Sequence, residues 1–479
     1  MQTGLWSCMP VGLLKAVHIP TCSHTMAFMQ GFVRAVNCSN DDAKRSRSTR
    51  AQAMNLARRI WGPCLLITVC MGSFGIAGLS LGFAVTLLVS LAAIEPALLK
   101  QRFSRLPLVL SALLFLLWGL VSLFWTEADR LLPVISDWSR WLILIPAVGF
   151  MMTDEVRQGI WRAFVAVQLI VALWSLYVGM DCAIDPSPFP HAYECMNRRI
   201  PHGNIEASWI LSLGALLALI WLEGRWRWVI AVLLTLPLFI IGNRTGFFTL
   251  GIGLLVALTY EASLRPWRAR VLLASAAIAA AGIALNPALQ LRISEALQLE
   301  RYQASQLHQA EQNSEGLRAA YWRAGFIALR DKPLIGHGMG SWPEVYRGLQ
   351  PQVEGPAISA NPHSSYVQIA VEQGLIGLFL FLGLLVALWQ ASSWLAGFEA
   401  VFCRLLIATF AAGSLLNTWT HDGASSRMFL VLMVLCLAGL RSPHSTSAVQ
   451  TSAESADAQQ ALKAQSRDRR SRRRDKARP

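Results

Sequence analysis

Between Trp61 and Leu440 the chain is mostly long apolar runs, interrupted by short charged or glycine- and proline-containing stretches. Runs of this length match helices that cross a bilayer, each needing ~20 residues, rather than the buried elements of a soluble core. From Trp61 to Leu99 the one charged residue is Glu95, too long a stretch for a single span. The glycines between Gly72 and Gly82 supply a break, which divides it into helices over 61–78 and 80–98. Further spans are expected at 106–125, 132–152, 159–180, 204–222, 227–242, 246–260, 271–286, 364–389, 400–419 and 427–441, twelve in all.

The polar segments between the runs set an orientation. Loops 100–105, 153–158, 223–227, 261–270 and 390–399 fall on one side, and three of the five are basic. With positive loops inside, the N-terminus is cytoplasmic and twelve spans return the C-terminus there. Loop 126–131 on the other side is acidic. The two large loops, 181–203 and 287–363, also lie on that outer side. The second holds seven Lys/Arg and seven Asp/Glu. That balance predicts a folded subdomain, with two or three amphipathic helices over 289–330 from the spacing of Leu289, Ile293 and Leu297 and then Leu317, Trp322, Phe326 and Leu329. The organisation is thus a basic segment 1–59, spans over 60–286, an outer helical subdomain 287–363, spans over 364–441 and a basic, disordered tail 442–479. Residues 1–59 lack the pattern of a cleavable signal peptide, and Met54 is an alternative start.

Composition supports the all-helical membrane class. Hydrophobic residues make up 54% and charged residues 15% of the 479, against roughly 25% charged in soluble domains. Mean hydropathy is +0.43. The net charge of +14 sits at the ends. Residues 1–59 have eight Lys/Arg and two Asp/Glu, residues 467–479 the same, so each contributes +6. Basic ends of a membrane protein lie beside anionic lipid, and the Arg-rich tail lacks the interleaved aromatics of a nucleic-acid binder. No zinc-ligand spacing and no DxD pair at a membrane face occur, which disfavours a metalloenzyme or metal-dependent sugar transfer. No internal repeat points to a transporter. Of the nine cysteines, Cys182 and Cys195 share an outer loop, where an oxidising compartment permits a disulfide. The glycines of 336–340 (GHGMG) imitate a phosphate loop, but no strand precedes them and no Lys-Ser/Thr follows, so a turn is expected.

Candidate chemistry gathers at the outer ends of spans. Asn361-Pro362-His363-Ser364-Ser365-Tyr366 stands before an apolar helix with Glu372, Gly374 and Gly377. Histidine can take a proton near neutral pH, and at a loop-to-helix junction it faces both water and interface. The same residues also read as a helix start with Asn361 or Ser364 as cap. Arg244, in Asn243-Arg244-Thr245, needs an anion at the membrane boundary, a lipid phosphate among them. Arg318 or Arg323 on the late loop could clamp a pyrophosphate or form a surface ion pair.

These segments resemble the O-antigen ligase and O-antigen polymerase superfamily of bacterial inner membranes. The likeness is strongest over 316–383, where a helical Arg-Trp stretch leads to Pro-Leu-Ile-Gly-x-Gly-x-Gly and then to Asn-Pro-His-Ser-Ser-Tyr-Val-Gln…Glu-x-Gly-Leu-Ile-Gly. Pro201-His202-Gly203-Asn204-Ile205-Glu206-Ala207 and Asn243-Arg244-Thr245-Gly246 are weaker matches. The resemblance implies a GT-C-like glycosyltransferase without cofactor or metal. Its donor would be a glycan on undecaprenyl pyrophosphate, its acceptor a sugar hydroxyl of lipid A–core, and its site periplasmic. His363 would match the family's base, and Arg244 and Arg318 its pyrophosphate-holding arginines. Arg140, His202, Asn204, His337, Tyr366, His421 and Asp422 are secondary candidates. A polymerase or a protein O-oligosaccharyltransferase of the same superfamily is the alternative, and a lipid-linked sugar transporter a more distant one. The long basic N-terminus is not a family requirement.

Overall fold

A computed structural model of the chain describes residues 40–103, 107–149, 152–274, 277, 314–353 and 360–440. Among them every regular element is a helix. In chain order these are α1 (Asn40–Phe74), α2 (Ile76–Ala93), α3 (Pro96–Phe103), α4 (Pro107–Ser122), α5 (Leu131–Ser139), α6 (Leu144–Ala147), α7 (Asp154–Ile184) and α8 (Ala192–Arg199). They continue as α9 (Gly203–Trp221), α10 (Trp226–Ile241), α11 (Arg244–Tyr260), α12 (Ser314–Asp331), α13 (Trp342–Val353), α14 (Ser365–Ala391), α15 (Gly397–Leu416) and α16 (Gly423–Leu437). The chain divides into two compact units, 1–57 and 58–479. The described part of the first is the opening of α1; the second holds everything below.

Among the described residues six helices are long and apolar enough to cross a membrane, and the bent pair Arg244–Tyr260 and Ala262–Ala274 makes a seventh if counted as one span. Arg59–Phe74, Trp226–Ile241 and Gly423–Leu437 are shorter apolar helices. This is a multi-pass membrane protein. The predicted break between the first two runs falls at Gly75, between α1 and α2. The run 132–152 differs from expectation. It is not one helix but α5, a 3-10 turn over Arg140–Ile143 and the short α6. Arg140, at the start of the 3-10 stretch, directs its buried guanidinium to the His421 and Asp422 carbonyls and the Ser426 hydroxyl. Of the expected span 271–286, residues 275–276 and 278–286 lie outside the described residues, as do Leu289, Ile293 and Leu297.

α16 forms the centre of the bundle. Every residue from Met428 to Leu437 is buried, as an all-round apolar helix requires. α9 is buried from Ala207 to Ile220. Around them α2, α4, α7 and α10 turn apolar side chains such as Leu81, Leu117, Leu173 and Val232 outward, as lipid-facing helices do. The loops expected inside meet at one end. Arg102 donates to the Val148 and Leu440 carbonyls. Arg157 grips Glu399 through Nε and Nη2 at 2.9 and 3.0 Å. Arg227 reaches Ser263 at 3.0 Å. Running each helix to its other end leads to the candidate site.

α14 is interrupted where it meets the late loop. Gly374 has φ 69° and ψ −171°, outside the helical region. In an unbroken helix the Leu375 N–H would bond the Val371 carbonyl, and the Ile376 N–H that of Glu372. Instead Leu375 N donates to Pro333 O at 2.9 Å and Ile376 N to Leu334 O at 3.3 Å. The freed carbonyls accept from the same turn: Val371 O from His337 N at 2.9 Å, Glu372 O from Gly338 N at 2.7 Å. The 333–338 turn therefore replaces the two lost helical bonds one for one. Backbone groups unpaired at membrane depth cost several kcal/mol each, so the break and the turn require one another. The expected glycine turn is here, and glycine is needed for closeness as well as for positive φ: a Cβ on Gly374 would enter the Leu334 carbonyl, and one on Gly338 the Thr126 backbone. The turn is also tied to the α4–α5 loop, where Lys332 pairs with Glu127 at 2.8 Å and Thr126 Oγ1 donates to Met339 O at 2.7 Å.

Candidate active site

α12 is amphipathic, and Ala320, Tyr321, Ala324 and Ala328 bury one stripe against α13 and α14. That packing lays the helix beside the entry to α14. The Tyr321 ring sits 5.7 Å from the His363 imidazole, centroid to centroid, and edge-on to Tyr346 at 5.3 Å. Arg318 lies one turn back from Tyr321 and within electrostatic reach of His363. Burial, and then the Arg318 guanidinium, hold the His363 imidazole below the usual histidine range. A neutral, half-buried imidazole can accept a proton at neutral pH. Arg323 and Arg330 point to the exposed side of α12.

His363 itself has a left-handed backbone, φ 50°, and His202 has φ 65°. They are the non-glycine residues with positive φ among those described, and both are candidate histidines at helix entries. The conformation costs about 1–2 kcal/mol relative to right-handed helical backbone. An Asx turn holds it, with the His363 N–H donating to Asn361 Oδ1 at 3.1 Å. Ser364 occupies the N-cap position, but its hydroxyl donates to Ser414 O at 3.4 Å instead of capping.

A third segment, 417–422, ties the two sequence motifs together. Ser365 N donates to Asn417 O at 3.1 Å, Thr420 N donates to Ser365 Oγ at 3.2 Å, and Asn417 Nδ2 reaches Thr245 Oγ1 at 3.5 Å. Asn243 caps α11 by accepting from Thr245 N at 2.8 Å. The Arg244 turn and the His363 entry are thus fixed to one connector, with Arg244 exposed.

The secondary candidates separate into three groups. Arg140, His421 and Asp422 form one cluster. Arg140 pairs with Asp137 and donates to the His421 and Asp422 carbonyls at 3.3 and 3.4 Å, while Asp422 caps α16 through Ser425 N at 2.6 Å. His421 Nε2 stands 3.5 Å from the fully buried Glu372 carboxylate, which also accepts from Gln368. His202 and Asn204 belong to the entry of α9. His202 Nε2 meets the Gly72 carbonyl, and burial lowers its proton affinity. Asn204 Nδ2 donates to Tyr193 O at 3.2 Å. His337 and Tyr366 are engaged in structure: His337 contacts Ala328 O and Glu127 inside the turn, and the Tyr366 hydroxyl donates to Ala411 O at 2.9 Å. Cys182 and Cys195 are disulfide-bonded and pin α8 to the end of α7. Tyr321 and Asn417 escaped the sequence reading. The first was detectable by its helical spacing of three from Arg318; the second carries no signal without the fold.

Fold and site together define a multi-pass helical membrane protein whose polar groups converge at one end of the bundle. The family model described as O-Antigen ligase matches residues 229–382. The chain therefore carries an O-antigen ligase family domain, in agreement with the superfamily resemblance read from its motifs. The matched stretch contains Arg244, Arg318, Tyr321 and His363, and ends inside α14 beyond Gly374. The matched family implies, in general terms, glycan transfer from a lipid-linked donor. Comparison with curated proteins finds no match.

Proposed function

We propose that the protein is an O-antigen ligase, moving a glycan from undecaprenyl pyrophosphate to a sugar hydroxyl of lipid A–core at the periplasmic face of the bacterial inner membrane. In this reading twelve spans in a GT-C-like arrangement keep both basic termini in the cytoplasm, with 287–363 as the periplasmic subdomain. The acceptor hydroxyl oxygen attacks the anomeric carbon from the face opposite the phosphate. The bond from that carbon to the phosphate oxygen breaks, its electron pair leaves with the pyrophosphate, and the anomeric configuration inverts. His363 takes the hydroxyl proton. Arg244 and Arg318 meet the growing negative charge of the leaving group, which fixed donors stabilise without reorganising. In this scheme the chemistry proceeds without a metal ion.

The observation that carries the reading is the placement of Arg318 and Tyr321 beside a half-buried His363 whose proton affinity burial and then Arg318 lower. The disulfide on the 181–203 loop supports an oxidising compartment on that side. A polymerase of the same superfamily would use the same groups. Deleting the gene and running the lipopolysaccharide on a gel separates them. Loss of all long chains with undecaprenyl-linked polymer retained supports the ligase; core carrying a single repeat unit supports the polymerase.

A further inference from the structure

α11 runs 17 residues from Arg244 to Tyr260, which at ~1.5 Å per residue is close to the hydrocarbon thickness of a bilayer. If Arg244 stands at one interface, the chain leaves α11 at the other. There it bends by 110°, so that residues 262–274 lie nearly across the end of the helix they follow. The bend is held by two arginines. Arg268 donates to the Leu258 and Thr259 carbonyls at the open end of α11, and Arg227, in the first turn of α10, donates to Ser263. Trp228 and Trp267 close the junction with ring centroids 5.5 Å apart.

What this leaves outward is specific. Arg225, Arg265 and Arg270 are exposed; Arg225 and Arg270 lie over the rings of Trp226 and Trp267 at 5.5 and 5.1 Å. Just beyond them Leu272 and Leu273 are 47% and 71% exposed. Five arginines (225, 227, 265, 268, 270) against Glu223 and Glu261 give this patch a net charge of +3. Glu261 caps the 262–267 turn, its carboxylate accepting from Ser263 N at 3.0 Å. Guanidinium groups on tryptophan faces, with aliphatic side chains alongside and a backbone running across the bundle end, suit a plane where phosphate lies above and acyl chains below.

We propose that residues 225–228 and 262–270 form a binding site for anionic phospholipid headgroups at the membrane face opposite His363. The guanidiniums take the lipid phosphate, the tryptophans sit at headgroup depth, and Leu272 and Leu273 meet the acyl chains. Hydrogen exchange on the full chain in nanodiscs tests this locally, so that the basic termini do not confuse the result. In phosphatidylglycerol, the amides of 225–230 and 262–270 exchange severalfold more slowly than in phosphatidylcholine with the same acyl chains. Replacing Arg225, Arg265 and Arg270 together by Gln removes the difference, and replacing them by Lys keeps most of it. Arg227 and Arg268, which hold the bend, are left intact. Equal exchange of the unaltered protein in the two lipids overturns the proposal. So does a difference that survives the Gln substitutions, or one reproduced in phosphatidylcholine by inorganic phosphate, which would mark a free-anion site.

Discussion

The Tyr321 ring lies 5.7 Å from the His363 imidazole, and this places a residue of the late loop against the residue that opens α14. Through the same helix Arg318 is brought to His363. For the base proposed here, neutrality is favoured twice, since burial and a neighbouring cation both oppose protonation of His363.

The pH profile follows from that neighbour. With His363 as the proposed base, the rate is expected to fall as acid protonates the imidazole, at a pH below the usual histidine range. In Arg318→Gln the cation no longer opposes protonation, and the acid limb moves to higher pH. Arg318→Lys keeps the charge but loses the planar two-point grip, so its limb stays in place while the rate falls severely. Arg323→Lys, on the exposed side of α12, leaves both unchanged. Rate measured against pH for the three variants checks this; coincident acid limbs in wild type and Arg318→Gln would remove Arg318 from the neighbourhood of the base.

The left-handed backbone of His363 separates stability from function. Glycine adopts that conformation without strain and alanine does not. His363→Gly is expected to be more stable than His363→Ala by about 1 kcal/mol, both being inactive. Thermal unfolding in a fixed detergent reads the difference, and equal midpoints would show that the strain is absent.

The reciprocal backbone bonds between 333–338 and the Gly374 break predict a joint sensitive to single methyl groups. Gly374→Ala and Gly338→Ala combine positive φ with a clash against backbone, a cost of at least about 1–3 kcal/mol each. Gly383→Ala, later in α14 with open space around it, is tolerated. Amide exchange over 333–338 should rise in the first two variants, and unchanged protection there would contradict the interlock.

The disulfide closes a loop between residues 13 apart, and removing such a bond costs about 2–4 kcal/mol. Cys182→Ser should lower the unfolding midpoint accordingly. In intact cells the native pair should resist alkylation until reduced. Labelling of both thiols without reductant would place that loop in a reducing compartment.

Much of this architecture was legible in the sequence because membrane helices announce themselves locally, by uninterrupted apolarity. The expected runs 204–222 and 364–389 emerge as Gly203–Trp221 and Ser365–Ala391. What escaped depends on distant partners. Nothing within 132–152 tells that Arg140 will find Ser426, 286 positions away. Gly374 is visible as a residue, but its role exists only with Pro333 and Leu334 beside it. For the site, His363, Arg244 and Arg318 stood out as chemistry at span ends. Asn417, which joins their segments, is an ordinary helix-terminal amide until the fold places it. His337 shows the converse: an imidazole attracts attention in the sequence, but only the fold shows its contacts with Ala328 O and Glu127.

In the proposed mechanism His363 is the group that takes the proton of the acceptor hydroxyl. The measurement that tests it most directly is transfer by purified, reconstituted His363→Ala with undecaprenyl pyrophosphate-linked glycan and lipid A–core, alongside donor binding by the same preparation. Donor bound at near wild-type affinity, with transfer reduced by about 10²-fold or more, is the expected result for loss of a general base. Near-normal transfer by this variant would contradict it and move the base to another residue, with the Glu372-paired His421 the next to replace.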